Sequence, residues 1–531
     1  MFMSVLDGSI VIISLPAIFR GIKLDPLAPQ NVDYLLWMII GYLLVQAVLV
    51  VTLGRLGDMF GRVRIYNAGF AIFTGASVML SFDPYVGGAG AMWLIGWRLL
   101  QALGGAMLTA NSAAILTDAF PSTQRGLALG INQIAALAGQ FIGLVAGGVL
   151  AIIDWRAVFW VNVPVGIFGT IWAYRNLREV GSHHRGEIDW WGNITFAVGL
   201  SAILIAITSA IRPYGTQPMG WTSPMVIGLL GGGTALLVAF AIIESKAADP
   251  MFRLGLFRIR SFTAGVVATL AASVARGGLQ FMLVIWLQGI WLPLHGYDFE
   301  ITPLWAGILM LPLSAGFLVS GPISGFLSDR FGARFFSTTG MLVFGASFIG
   351  LMLLPVDFPY PAFAALIALN GIGVGMFGAP NTSEIMGSVP PEQRGVASGM
   401  RSTFQNAGNL LSIGTFFSLM IAGLASRLPA TLQAGLESQG VPAGIAHQVA
   451  TLPPASSLFA AFLGVNPVEN LLGPTGELAK LPAANRALLT GKEFFPHLIS
   501  APFHDGLLVV FSAAIALSLV AAAASMLRGS R

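Results

Sequence analysis

Fourteen runs of mostly apolar residues recur along the chain, near 2–21, 34–53, 65–83, 91–117, 127–151, 157–176, 190–211, 224–243, 262–291, 303–324, 335–354, 361–387, 397–425 and 503–527. Each is long enough to cross a bilayer as a helix, which takes about 20 residues. In hydrocarbon every backbone N–H and C=O needs an internal partner, so a chain with this pattern folds as a bundle of helices. Composition agrees: only 9% of the 531 residues are charged, against about 25% in a soluble domain. The chain has no cysteine, which excludes disulfides, thiolate metal sites and cysteine nucleophiles. No histidine spacing suggests a metal site. The formal charge of +4 is too small to make nucleic acid an expected partner.

The basic residues orient the bundle. With the charged turn at 54–64 placed in the cytoplasm, seventeen of the 27 Lys and Arg fall in cytoplasmic segments, and only Arg20, Lys23, Arg156 and Arg212 fall in short outer loops. This bias implies a cell-membrane protein with both termini on the cytoplasmic side. No basic stretch precedes the first run, so a cleavable signal peptide is not expected. Only six residues precede Asp7, so the natural protein is expected either to extend further at its N-terminus or to begin within the membrane.

Two segments are written twice. "GRLGDMFGRVR" at 54–64 returns as "GFLSDRFGAR" at 325–334, and "FPSTQRGLALG" at 120–130 returns as "VPPEQRGVASG" at 389–399. The offsets, 271 and 269 residues, are nearly equal, so the chain holds two structural repeats. Each copy joins runs of the same direction, which makes the halves parallel repeats about an axis along the membrane normal. Eight runs separate corresponding positions, so two extra helices lie between the halves. The expected organisation is a six-helix half over 1–177, two linker helices over 178–261, and a second six-helix half over 262–531. The second half includes a long outer loop at about 426–500.

The chain resembles the major facilitator superfamily, and within it the fourteen-helix drug:H+ antiporter branch. "LDGSIVIISLP" at 6–16 is similar to the branch's first-helix signature, with Asp7 kept, Ser9 in place of Thr and Ile12 in place of Asn. "RLLQALGGAM" at 98–107 resembles the fourth-helix motif with its buried Arg, and "GQFIGLVAGGVL" at 139–150 the fifth-helix antiporter motif, with Leu144 where that motif has Pro. "WRAVFWVNVPVG" at 155–166 and "IDWWG" at 188–192 are also similar to the branch. The resemblance implies a monomeric major facilitator fold that exports small hydrophobic or amphipathic compounds in exchange for protons, without a cofactor.

Candidate functional residues follow from charge in apolar surroundings. Arg98 is the sole charge between 91 and 117. An Arg at a helix centre costs about 2.5–3.5 kcal/mol to insert, so it should find an acid or carbonyls. Asp7 is the matching intramembrane acid, either a proton carrier or a packing residue held by hydrogen bonds. The resemblance implies a proton-coupling role for Asp7 and Arg98, and Glu384 is a further candidate acid. Asp58 and its repeat Asp329 are expected to gate the cycle with Arg62, Arg64, Arg125 and Arg334. Tyr42, Gln46, Gln101, Arg276, Gln280 and Gln288 are candidates to line the substrate cavity. For Arg276, Gln280 and Gln288, interhelical hydrogen bonding is an equal alternative. Gly139, Gly143, Gly147 and Gly148 form a small-residue stripe suited to close helix packing. "PASSLFAAFLG" at 454–464 is too short to span, and is expected to lie on the membrane or fold over the outer mouth.

No G-x-x-x-x-G-K-[ST] phosphate loop occurs, so ATP bound by this chain does not supply the energy. A proton moving down 100 mV yields about 2.3 kcal/mol, enough for a gradient of roughly fifty-fold. The leading expectation is proton-coupled efflux of drugs. A dedicated exporter of an endogenous lipid or secondary metabolite is the alternative, and a membrane sensor or enzyme reusing the fold is a remote one. The chain is not expected to be an enzyme.

Overall fold

The apolar runs are helices in a computed structural model, which describes residues 1–527 apart from 29–30, 122–124, 180–188, 212–213, 216, 218, 248–249, 251, 391–392 and 474–475. Spans 1 to 5 are Phe2–Gly21, Asn31–Phe60, Arg62–Ser81, Gly87–Ala119 and Arg125–Ile153. Spans 6 to 8 are Ala157–Asn176, Trp190–Ser209 and Pro224–Lys246. Span 9 is Arg260–Leu294, span 10 is Thr302–Leu309 continued by Leu311–Phe331, and spans 11 and 12 are Ala333–Leu353 and Tyr360–Gly387. Spans 13 and 14 are Arg394–Ser438 and Phe494–Met526. Among the described residues thirteen helices are long and apolar enough to cross a membrane, and span 5 adds an apolar helical stretch over Ala138–Ile153. The chain is therefore a multi-pass membrane protein.

The repeat seen in the turns extends through the packing. Span 1 packs on 5, 3 on 4, 2 on 4 and 3 on 6; the same pairs recur as 9 on 13, 11 on 12, 10 on 12 and 11 on 14. Spans 3 and 4 cross at Gly69 and Gly104, where an added Cβ on Gly104 meets the Gly69 carbonyl oxygen at 2.8 Å. Spans 11 and 12 cross at Gly340 and Gly373, where a Cβ on Gly373 meets the Gly340 oxygen at 2.8 Å. These pairs carry the same offsets as the two duplicated segments. The turn glycines do too: Gly61 and Gly332 take φ of +106° and +87°, a region that residues with a Cβ avoid. The duplicated turn is thus a backbone requirement between antiparallel helices.

The halves close on each other at the face opposite the turns, called here the cap face. Span 5 meets span 10 so closely that a Cβ on Gly148 strikes the Leu304 backbone and one on Gly307 strikes the Leu144 carbonyl. Gln288 Nε2 of span 9 donates to the Ile13 carbonyl of span 1 at 3.0 Å. Spans 7 and 8 pair with each other, and span 7 also packs on spans 2 and 13.

The expected loop at 426–500 is corrected to 439–493. Span 13 continues as helix past the apolar run, because Leu424, Leu428, Leu432 and Leu436 keep a four-residue spacing and are all buried. The 439–493 segment holds five short helices, at Ala443–Ala450, Pro454–Leu463, Pro467–Leu472, Glu477–Lys480 and Ala483–Leu489. It has its own small core around Leu436, Val449, Val468, Leu472 and Leu489. Every residue of the Pro454–Leu463 helix is buried. That helix wedges between the halves, touching spans 1, 2, 9, 13 and 14. Phe459 meets Phe19 of span 1 edge-on at 5.8 Å, and Phe462 meets Phe281 of span 9 at 6.0 Å. Of the two expected placements, it folds over the mouth and plugs it.

Candidate functional site

Five spans of the first half converge on one buried ion pair. Asp7 and Arg98, expected from sequence as intramembrane charges, meet with Arg98 Nη1 2.5 Å from Asp7 Oδ2. Asp7 is wholly buried and Arg98 is 2% exposed. The other carboxylate oxygen accepts from Gln101 Nε2 at 3.0 Å and from Asn162 Nδ2 at 2.7 Å. Arg98 Nη1 also donates to Gln101 Oε1 at 2.7 Å, and Gln101 Nε2 donates to Ser77 Oγ at 2.9 Å. The guanidinium lies over the Tyr42 ring, 4.2 Å from its centroid. Tyr42 Oη shares a hydrogen bond with Ser4 Oγ, which also accepts from Gln46 Nε2. Charge is balanced and the hydrogen bonding is dense, which is what a low-dielectric interior demands of ions. Each member of the pair is the other's counter-ion, so loss of either charge strands its partner.

A separate cavity of about 200 Å³ lies between the halves. Its polar lining is Gln140, Arg276, Gln280, Ser314, Asn370 and Asn409, and its apolar wall includes Ile12, Leu43, Phe317 and Ile413. Gln140 Nε2 donates to Gln280 Oε1 at 3.4 Å across the halves. Arg276 stacks on Phe317 at 5.1 Å. It projects from a break in span 9 where Gly277 and Gly278 lie against Asn409 and Phe416 of span 13, too close for a Cβ. Arg276 and Gln280 thus reach the lining. Tyr42, Gln46 and Gln101 lie at the buried ion pair, and Gln288 bridges the halves above the cavity. No described residue of spans 7 or 8 lines it.

At the turn face Arg62 joins two acids, with Nε 2.7 Å from Asp58 Oδ1 and Nη1 2.6 Å from Asp118 Oδ2. The Glu179 carboxylate accepts from the backbone N–H of Arg62 and Val63 at 2.7 and 3.1 Å, capping span 3. These contacts tie spans 2, 3, 4 and 6 of one half. Arg64 and Arg334 are exposed, and Glu384 is half-buried near the turn end of span 12. The side chains of Arg125 and Asp329 lie outside the described residues. Gly139, Gly143 and Gly147 face span 1, where Cβ atoms on the first two meet the carbonyls of Phe2 and Leu6 at 2.6 and 2.7 Å. Gly148 faces the other half.

Sequence reading did not single out Ser77, Asp118, Asn162, Glu179, Gln140, Asn370 or Asn409. Asn162 had a signal, since it sits inside the "WRAVFWVNVPVG" motif. Asp118 had one too, as an acid in the last turn of span 4, and Gln140 lies inside the "GQFIGLVAGGVL" motif. Ser77, Asn370 and Asn409 are ordinary polar residues in long helices and Glu179 follows span 6, and only the assembled bundle distinguishes them.

The model of the family described as Major Facilitator Superfamily matches residues 1–413. The chain is 30% identical over 426 residues to the riboflavin transporter RibZ of Clostridioides difficile, covering 79% of this chain and 86% of that protein. It is 29% identical over 443 residues to the multidrug resistance protein Stp of Mycobacterium tuberculosis, covering 82% and 76%. Among solved structures, a bacterial homolog of the human lysosomal transporter Spinster, in an inward-facing and occupied conformation, aligns over 99% of this chain and 94% of its own. The TM-score is 0.54 and the identity 17%, a likeness of fold.

Proposed function

The chain belongs to the major facilitator superfamily, and on that premise we propose that it is a proton-coupled exporter of small hydrophobic or amphipathic compounds working by alternating access. The carrying observation is the cavity held between two halves that are shut on the cap face. Similarity to a multidrug resistance protein supports drugs as cargo. At about 200 Å³ the cavity is below the roughly 300 Å³ at which drug-sized pockets begin, so the halves must part further to load. In the proposed cycle the turn face is cytoplasmic, and cargo enters there from the cytoplasm or inner leaflet of the cell membrane. Opening to the outside requires span 5 to leave span 10 and the Pro454–Leu463 helix to withdraw.

In this reading Asp7 is the proton carrier. The cavity wall at Ile12 and Leu43 shares spans 1 and 2 with Asp7 and Tyr42, so cargo pressing those spans apart bears on the Asp7–Arg98 pair. Asp58 and Arg62 act as the turn-face latch, with Asp329 its repeat, and Glu384 is the reserve acid. We assign residues 1–177 and 262–531 to the two moving halves, with 178–261 carrying the peripheral linker helices, and the working unit is a monomer. The similarity to a riboflavin transporter favours, as a second reading, export of one metabolite.

The test is transport in proteoliposomes under an imposed pH gradient, against cationic dyes, neutral drugs, lipids and riboflavin. Uphill movement of several unrelated compounds supports drug efflux, movement of one alone supports the second reading, and movement indifferent to the gradient removes proton coupling.

A further inference from the structure

The central cavity carries a positive charge that no described acid balances. Arg276 is its one ionisable lining residue, and no Asp or Glu lines it among the described residues. Arg98, the other arginine inside the bundle interior described above, has Asp7 at 2.5 Å. Arg276 lies over the Phe317 ring, which attracts the cation weakly and leaves its in-plane N–H donors available.

Two further polar atoms of the lining lack a partner. Gln280 Nε2 and Ser314 Oγ are buried without a hydrogen-bond partner among the described residues. Gln280 Oε1 is already engaged by Gln140 Nε2. Buried polar atoms are nearly always satisfied, so unpartnered ones in a cavity point to a ligand group that completes them. Here that group has to accept hydrogen bonds from a guanidinium, an amide and a hydroxyl. Phe317, Ile12, Leu43 and Ile413 supply the apolar surface for its body.

We infer that this cavity is a binding site for hydrophobic organic anions, in which Arg276 pairs with a carboxylate or sulfonate while Gln280 and Ser314 complete its hydrogen bonds. The inference rests on the export reading above and narrows its cargo: lipophilic cations, with no acid to meet them, are selected against. It also has an energetic consequence. Moving one anion out of an interior held at −100 mV is favoured by roughly fifty-fold from the charge alone. Exchange of an anion leaving for a proton entering therefore carries two charges per cycle.

The experiment uses the full chain in lipid nanodiscs and three radiolabelled probes sharing one ring: naphthalene-1-acetate, its methyl ester, and (1-naphthylmethyl)trimethylammonium. Equilibrium dialysis at pH 7 should show the carboxylate binding at least about tenfold more tightly than either other probe, a difference of about 1.4 kcal/mol. Arg276→Gln should erase the preference and Arg276→Lys should keep its order at lower affinity. Gln280→Glu places the missing acid four residues from Arg276 in the lining, cancels the net charge and should erase the preference for the carboxylate. This variant leaves the span 9 arginine intact, so the test does not depend on the folding of Arg276→Gln.

Equal binding of the three probes, no binding of the carboxylate, or a preference that survives Arg276→Gln each overturns the anion site. Transport of the same probes in proteoliposomes separates the two claims. Selective binding of the carboxylate without uphill movement refutes export and keeps the site. Uphill movement of the ammonium probe, unchanged in Arg276→Gln, keeps export and refutes the site.

Discussion

Replacing Asp7 by Asn removes one charge from the most enclosed part of the bundle. In the parent, three donors share the carboxylate: Arg98 Nη1, Gln101 Nε2 and Asn162 Nδ2. After the change Arg98 keeps Gln101 Oε1 and Gln101 keeps Ser77, but the guanidinium has no counter-ion. Removing one partner of a buried ion pair costs about 3–5 kcal/mol. The Asn oxygen still accepts one bond from Gln101 or Asn162, returning about 1 kcal/mol. The net expectation is a loss of about 2–4 kcal/mol. Arg98→Gln should cost a similar amount by stranding the carboxylate, while the double variant Asp7→Asn/Arg98→Gln strands no charge and should lose much less than the sum. The assay is unfolding in mixed micelles with rising SDS, run as a double-mutant cycle. A coupling of about 2 kcal/mol or more supports the pair. Single losses that are small and additive would show that the two side chains do not pair in the membrane, and the proposed carrier role of Asp7 would lose its basis.

The other predictions concern the two faces. Asp58→Asn should slow transport severely with little effect on unfolding, because the Asp58–Arg62–Asp118 chain is 27–44% exposed and such contacts contribute about 0.2–1 kcal/mol; wild-type rates in proteoliposomes would end the latch role. Gly148→Val inserts a side chain against the Leu304 backbone and should hold the cap face ajar. Since the chain has no cysteine, Phe19→Cys alone reports this through labelling by an impermeant maleimide, expected to be slow in the parent and at least several-fold faster beside Gly148→Val; equal rates contradict the seal. Lys492, in the cap, pairs with Asp298 beside span 10, and that hydrogen bond and charge raise its pKa. A raised lysine pKa makes the tether fully present below the unfolded value, about 10.4, and lost as pH climbs through the higher folded value. Proteolysis of the 439–493 segment should therefore stay slow at pH 7–10 in the parent and quicken in Lys492→Gln; identical digestion of both would show that the pair does not hold the cap.

The architecture was legible because bilayer physics leaves few options. Runs of about 20 apolar residues, a 271-residue offset and two glycine turns dictated two packed repeats with a helical pair between them, and the crossings at Gly69–Gly104 and Gly340–Gly373 obey the same offset. Span 13 was under-read because its last turns are amphipathic: counting apolar residues stops at 425, while the Leu428–Leu432–Leu436 stripe keeps the helix going under the cap. At the site, Asp7 and Arg98 stood out since charge is expensive in hydrocarbon. Ser77 and Asn162 did not, because they acquire meaning from partners on other helices, 24 and 155 residues away in sequence. Gln288 was grouped with Arg276 and Gln280 on helical spacing, yet a π-helical turn over Leu287–Trp291 places it in the seam between the halves.

The central claim is that the Asp7–Arg98 pair couples a proton to export across the two halves. Proton flux triggered by adding a transported compound to proteoliposomes, read with a pH-sensitive dye in the lumen, tests it most directly. The parent protein should move protons opposite to cargo. Asp7→Asn should abolish that flux and uphill export while retaining some downhill exchange, and Glu384→Gln should be much milder. Full substrate-triggered proton flux in the Asp7→Asn protein would contradict the account and pass the carrier role to another acid, Glu384 first.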